Sequence, residues 1–353
     1  MKIASVGRAL PAHRYAQSEI TRTLLAVLDD PEPLRRTIER LHERVRVEHR
    51  HLALPIEEYA RLTTFGQAND AWQRCALDLG EEAIRDGLRR ADLEAADVDA
   101  IFTVTVTGIA SPSLEARLMN RLPFRADVKR IPIFGLGCVA GVAGIARAVD
   151  YVKAYPDHVA VLLSVELCTL NFQREDTSMA GLISTGLFGD GAAAVVVVGK
   201  RRAARMGLAG PTVRATRSIF YRDTEDVMGW DISERGFRIV LSEGVPVIAR
   251  ECLGADVRTF LADHGLGIAD VASWVCHPGG PKVLEAMRDS LGIPDAAVAL
   301  AWEVLAAQGN LSSVSVLMVL REVFDRARPA AGEMGVLVAM GPGFCSEIAL
   351  LEW

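Results

Sequence analysis

The sequence predicts an α/β fold of two similar halves, each burying a central sheet under helices. Two internal echoes carry this expectation. Ala96-Asp97-Val98 leads into an apolar strand, and Ala269-Asp270-Val271 leads into another, each after a helix and each ending at glycine. Gly191-Ala192-Ala193-Ala194-Val195-Val196-Val197 is likewise answered by Gly335-Val336-Leu337-Val338-Ala339. The third observation is the stretch from Ile131 to Ile145, which carries no charge and belongs at the centre of the molecule. It reads as buried strand, glycine turn, cysteine and small-residue helix.

Taken in order, residues 1–12 form a strand ending at Pro11, and Ser18 to about Glu48 is helical and rich in arginine. A long helix spans Asn69 to Ala91, and a strand from Ile101 to Val106 stops at Thr107-Gly108. Pro112-Ser113-Leu114 opens a helix. The cysteine segment follows, with its helix running to about Tyr155, then a strand from His158 to Glu166 that continues through Cys168 to Phe172. Leu182 to Asp190 is helical and leads into the strand Ala192 to Val198. The basic, small-residue text between Gly199 and Pro211 links the halves, 1–205 and 206–353. Strands follow at Val213 to Tyr221 and Phe237 to Leu241, and a helix runs from Pro246 to about His264. The strand ending at Cys276-His277 precedes helices at Pro281 to Leu291, Ala296 to Ala307 and from Asn310 to about Arg326. Two strands around Met340-Gly341-Pro342-Gly343 close the chain.

Composition narrows the function. The chain of 353 residues is 50% hydrophobic and 24% charged, enough apolar material for a large core. A net charge of -6 gives no electrostatic basis for binding nucleic acid. The most apolar run, Gly191 to Gly199, is too short to span a bilayer, and the start lacks the apolar core of a signal peptide. The six cysteines form no C-x-x-C pair, so neither a zinc site nor a disulfide framework is indicated, and a reduced cytoplasm fits.

Cys138 is the candidate nucleophile. A buried cysteine is more often structural, but this one follows Gly135-Leu136-Gly137 at the start of a helix. There the helix dipole and unsatisfied backbone N–H groups favour the thiolate. Gly141 and Gly144 cost helix propensity and suggest close approach to another backbone. His277 ends an apolar strand before Pro278-Gly279-Gly280, at the carboxyl end of a sheet where ligands bind. Asn310, after Gly309, reads either as a helix cap or as an amide donor that shares an oxyanion or enolate with the imidazole. The arginines from Arg22 to Arg46 form either a solvated helix face, with Glu39 and Glu43 paired to Arg40 and Arg44, or a basic lip for carrier phosphates.

Five segments together resemble the type III polyketide synthases, the chalcone synthase-like family. They are Gly135-Leu136-Gly137-Cys138-Val139-Ala140-Gly141, Leu187-Phe188-Gly189-Asp190-Gly191, His277-Pro278-Gly279-Gly280-Pro281, Gly309-Asn310-Leu311-Ser312-Ser313 and Gly341-Pro342-Gly343-Phe344. The resemblance implies a thiolase-like fold of five αβαβα layers and an obligate homodimer. It implies Cys138 as the acyl-bearing nucleophile, His277 as its base partner and Asn310 as the second enolate-stabilising donor. Phe188 would stand between a coenzyme A tunnel and the cavity, with Ser111, Cys168, Asn171, Trp230, Ile239 and Ser312 as substrate-binding positions and Arg35 at the CoA phosphates. Asn171, Trp230 and Ile239 depart from the plant pattern, and Met340 replaces the usual phenylalanine before Gly-Pro-Gly.

The segments Val106 to Arg117, Ser164 to Leu170 and Asp223 to Trp230 look like bacterial alkylpyrone and alkylresorcinol synthases. That likeness implies a long-chain acyl-CoA starter, malonyl-CoA extenders and no metal or organic cofactor. A β-ketoacyl-ACP synthase III would share the cysteine, histidine and asparagine but not the Gly-Pro-Gly-Phe segment. A catalytically silent acyl-binding subunit and a cysteine hydrolase are further alternatives.

Overall fold

The computed structural model describes residues 1–28 and 32–353. Nine strands lie in one hydrogen-bonded order. The N-terminal half contributes, from the edge inwards, Lys129–Phe134, Ala100–Thr105, Val159–Leu167, Asp190–Val198 and Lys2–Ala9. The C-terminal half continues with Thr212–Phe220, Cys345–Glu352, Met334–Gly341 and Val271–Cys276 at the other edge. The halves meet where Lys2 pairs with Thr212. Each half holds a parallel strand pair of the kind a helical crossover makes: Ala100–Thr105 with Lys129–Phe134, and Val271–Cys276 with Met334–Gly341.

Side chains of the N-terminal strands alternate between two cores, as the period of two demands. Ala160, Leu162, Ala193, Val195 and Val197 face the central helices. Val159, Val161, Leu163, Ala194 and Val196 face the helix Phe65–Arg90. The central layer is the helix pair Ala140–Ala154 and Ser313–Arg326, buried along most of its length. Gly141 permits their contact, because a Cβ there would lie 2.4 Å from the Ser313 carbonyl oxygen. At Gly144 the crowding comes from the Leu162 side chain, at 2.5 Å, rather than from backbone. On the far side of the C-terminal strands, helices Gly254–Ala262 and Pro281–Leu291 complete the five layers.

Several boundaries differ from the sequence expectation. The long helix begins at Phe65, where Thr64 and Gln67 form a reciprocal capping box. The arginine-rich segment is two helices, Gln17–Val27 and Glu32–Arg44, followed by a strand, His49–Leu52, that pairs with His13–Ala16. The part of that expected helix at 29–31 lies outside the described residues. Residues 168–171 form a 3-10 turn, not a strand continuation. The helix expected from Leu182 to Asp190 runs Met179–Leu187, with Asp190 already in the next strand. The linker contains a short helix, Lys200–Met206, closed by left-handed Gly207. Phe237–Leu241 pairs with an unforeseen strand, Met228–Ser233, as a separate hairpin.

Candidate active site

Cys138 sits in a 3-10 turn, Gly137–Val139, between the edge strand and the central helix Ala140–Ala154. Gly135 and Gly137 take positive φ values of 97° and 54°. A Cβ at Gly137 would lie 2.6 Å from the Pro342 ring, so the turn is seated against the Gly-Pro-Gly segment of the other half. The thiol is buried and lies 3.6 Å from Ser312 Oγ. Ser312 itself holds a left-handed backbone at φ 49°, a strained setting for a non-glycine residue at the start of the second central helix.

Asn310 is not the cap of that helix, which is Ser312. Its Oδ1 accepts from Ser312 N at 2.8 Å, and its Nδ2 donates to Gly279 O at 3.1 Å. Gly279 also meets the ring of His277, since a Cβ there would lie 3.3 Å from Cδ2 and 3.4 Å from Nε2. His277 follows the strand Val271–Cys276, is anchored by its own N–H on Val338 O at 3.0 Å, and is 3% exposed. Both its ring nitrogens are buried without a hydrogen-bond partner among the described residues. Cys138, Ser312, Asn310, Gly279 and His277 thus form one cluster, built from three chain segments at strand or helix ends. A buried imidazole with both nitrogens unpartnered has hydrogen-bonding capacity left to offer a bound molecule.

Phe188 pairs with Asn310 as an isolated β-bridge, with Asn310 N on Leu187 O at 2.8 Å and Gly189 N on Asn310 O at 3.0 Å. Phe188 also lines a chamber of about 130 Å³ together with Cys168, Asn171, Trp230 and Ile239. Tyr59, Arg50, Arg174 and Arg238 add polar edges to the same wall. Ser312 is not on that wall but beside the thiol, and Ser111 is exposed on a loop. Arg35 lines a second, more open groove of about 1100 Å³ with Arg22, Arg46, His42 and Trp302. The expected pairing of Glu39 and Glu43 with Arg40 and Arg44 does not form. The ion pair within this helix, among the described residues, joins Arg36 to Glu32.

The sequence profile of chalcone and stilbene synthases, N-terminal domain, matches residues 1–201, and that of the C-terminal domain matches residues 212–352. The chain belongs to the chalcone and stilbene synthase family. It is a type III polyketide synthase, an acyltransferase of the condensing type. It is 53% identical to 1,3,6,8-tetrahydroxynaphthalene synthase of Streptomyces peucetius subsp. caesius, over 99% of this chain and 93% of that one. It is 36% identical to a putative chalcone synthase of Bacillus subtilis, over 99% of this chain and 98% of the relative. Among solved structures, the tetrahydroxynaphthalene synthase of Streptomyces coelicolor superposes with a TM-score of 0.94 at 31% identity, covering 100% of this chain and 99% of that chain. The thiolase-like fold is shared with these structures.

The electrostatics of this synthase correct one expectation. The helix dipole was expected to favour the thiolate, but burial dominates and pushes the Cys138 thiol up to about 12, against a smaller downward pull from Ser312. The buried carboxylate of Glu166 adds to the rise. Burial pushes His277 down to about 4. At neutral pH the resting pair is therefore thiol and neutral imidazole.

Glu166 was missed by the sequence reading. It accepts from Thr107 Oγ1 at 2.9 Å, Val106 N at 3.1 Å and Ser313 Oγ at 2.5 Å, and burial pushes it up to about 7. The signal was available, as a single acid inside the apolar run Val159–Leu167. Among the described residues no cluster of His, Cys, Asp and Glu is arranged to hold a metal ion. No described helix is long and apolar enough to cross a membrane.

Proposed function

We propose that Cys138 carries the growing acyl chain, His277 takes its proton, and His277 with Asn310 holds the enolate formed when malonyl-CoA loses carbon dioxide. The observation that carries this reading is the contact chain from the thiol through Ser312 and Asn310 to the turn under His277. Loading begins with proton transfer from sulfur to the unpartnered imidazole. The thiolate then attacks the thioester and expels CoA. Decarboxylation at the apolar face of Phe188 leaves an enolate. Its carbon attacks the Cys138 thioester, transferring the chain onto CoA and freeing the thiolate. Repeated rounds build a poly-β-keto chain in the chamber, where it closes to a ring. The groove lined by Arg22, Arg35 and Arg46 suits the CoA phosphates. The chemistry asks for no metal or organic cofactor.

For the product, the reading best supported is a polyhydroxylated aromatic built from malonyl units alone. The Streptomyces peucetius relative is named for a ten-carbon skeleton with oxygen on alternating carbons, the pattern five two-carbon units leave behind. Arg50, Asn171, Arg174 and Arg238 on the chamber wall suit an oxygen-rich chain. The second reading is an alkylpyrone or alkylresorcinol from a long-chain acyl-CoA, favoured by Ile20, Leu24, Val27 and Phe172 on the same wall. Malonyl-CoA supplied alone and then with a panel of acyl-CoA starters separates them by mass spectrometry. An aromatic product from malonyl-CoA alone supports the first reading. Ring products appearing only with acyl starters overturn it, and a single extension without a ring indicates β-ketoacyl synthase chemistry.

The pair chemistry has a pH signature. Between the low imidazole value and the high thiol value, internal proton transfer does not depend on pH. Alkylation of Cys138 by iodoacetamide should therefore be nearly flat from pH 6 to 8. In His277→Gln the thiol has no acceptor, and with its value near 12 the rate should climb about tenfold per pH unit across that range. A flat profile in the variant removes His277 from the base role.

We also propose that two copies pair through the edge strand Lys129–Phe134, whose outer side bonds to no strand among the described residues. Phe134 on it is 49% exposed and Ile109 is 46% exposed. An unpaired edge with apolar side chains is a template for association. Phe134→Glu should shift the molar mass in light scattering from dimer to monomer, and an unchanged mass places the contact elsewhere.

A further inference from the structure

The helix Met179–Leu187 ends at Phe188, and three side chains from the N-terminal segment hold that end. Gln17 Nε2 donates to Gly186 O at 2.8 Å. Arg50 Nη1 donates to Phe188 O at 2.7 Å. His42 Nε2 lies 3.1 Å from Thr185 Oγ1, and its Nδ1 lies 2.8 Å from Thr21 Oγ1. Two of these ties are one unit, because Arg50 Nε donates to Gln17 Oε1 at 3.0 Å. Gly186 admits the His42 ring, since a Cβ there would lie 2.4 Å from Cδ2.

All three residues are buried, at 8% exposure for Gln17, 3% for His42 and 2% for Arg50. Burying a guanidinium, an imidazole and an amide is costly, and apolar side chains would fill the space without that cost. Here their bonds converge on a single helix end, and Asp190 acts on Arg50 only through space. Such bonds fix a position rather than neutralise a charge. Gln17, Thr21 and His42 face the open groove, while Thr185, Phe188 and Arg50 face the chamber. The tied helix end is therefore the partition between the two.

We infer that Gln17, His42 and Arg50 are positioning residues that clamp Phe188 against Asn310 and so decide whether a growing chain is extended or released early. The inference rests on the proposed roles of Phe188 and Asn310. The bridge between those residues transmits any slack, because Leu187 and Gly189 hold the Asn310 backbone from either side. Loosening the clamp should therefore move the enolate-holding amide as well as the phenyl ring, and depress turnover more than binding.

The test uses the full chain with Gln17→Leu and His42→Phe, and His42→Gln as the conservative partner. Hydrogen exchange followed by mass spectrometry should show faster exchange for residues 184–190 in the two disruptive variants, with the central helices unchanged. Malonyl-CoA decarboxylation should lose about tenfold in kcat while KM stays within about threefold, and the ratio of short to full-length products should rise about fivefold. His42→Gln should restore most of each change. Local exchange that rises without any change in kcat or product ratio overturns the inference, as does unchanged exchange at 184–190. General acceleration across the central helices reduces the three residues to fold stability and also overturns it. If the unaltered protein condenses no malonyl-CoA, the proposed function fails, and the exchange measurement still decides whether the clamp exists.

Discussion

Cys138→Ala should abolish product formation, by at least about a thousandfold, while slow decarboxylation of malonyl-CoA persists. The two activities separate because the sulfur is needed only to hold the electrophile. In the proposed mechanism, loss of carbon dioxide needs an enolate held at His277 and Asn310, whose anchors in the fold are not the thiol. Asn310 is fixed by Ser312 N and Gly279 O, and His277 by Val338 O. Removing one sulfur from this buried turn costs only its contact with Ser312 Oγ at 3.6 Å and a small void, about 1–2 kcal/mol of stability. Rates of carbon dioxide release and of ring product, measured on the same sample, check the separation. Normal product from this variant removes Cys138 from the mechanism.

Asn310→Ala should lower decarboxylation by about two to three orders of magnitude, or ~3–4 kcal/mol, the loss expected for one donor to a developing oxyanion. Alanine also leaves Ser312 N and Gly279 O unpaired, so a fall in stability could imitate a catalytic effect. Melting curves recorded beside the rates separate the two, since both Asn310→Ala and Asn310→Asp should remain folded at the assay temperature. The aspartate also leaves Gly279 O without a donor, so its melting temperature should fall as in the alanine variant, yet its carboxylate still accepts from Ser312 N. It cannot donate to an enolate and repels its charge, so decarboxylation should fall at least as far as in the alanine variant. A wild-type rate in the aspartate variant would make the amide a purely structural bridge.

The three proposed reactive residues were legible because each sits beside glycines that the backbone requires. Gly135 and Gly137 have positive φ at the cysteine turn, Gly280 follows the histidine turn with φ 140°, and Gly309 precedes the asparagine with φ 73°. A Cβ at Gly309 would lie 2.6 Å from Leu187 O, which is why no larger residue stands there. Gln17, Arg50 and Glu166 were not legible in the same way. Their bonds run to residues 33 to 169 positions away, so nothing in the neighbouring text announces them. The strand Met228–Ser233 escaped for a similar reason, since it pairs only with Gly236–Leu241 and three of its six residues are exposed. The upward push of burial on the Cys138 thiol was not legible either, because a helix terminus is a local feature, whereas desolvation depends on everything packed around the sulfur.

The seating of Gly137 against Pro342 has a consequence for biosynthesis. The loop that presents the reactive sulfur is finished by residues translated some two hundred codons later. Its second flank, the strand Cys345–Glu352, inserts between Thr212–Phe220 and Met334–Gly341 rather than at an edge. A nascent polypeptide emerging from the ribosome therefore lacks the complete seat of the Cys138 turn until this strand is laid in.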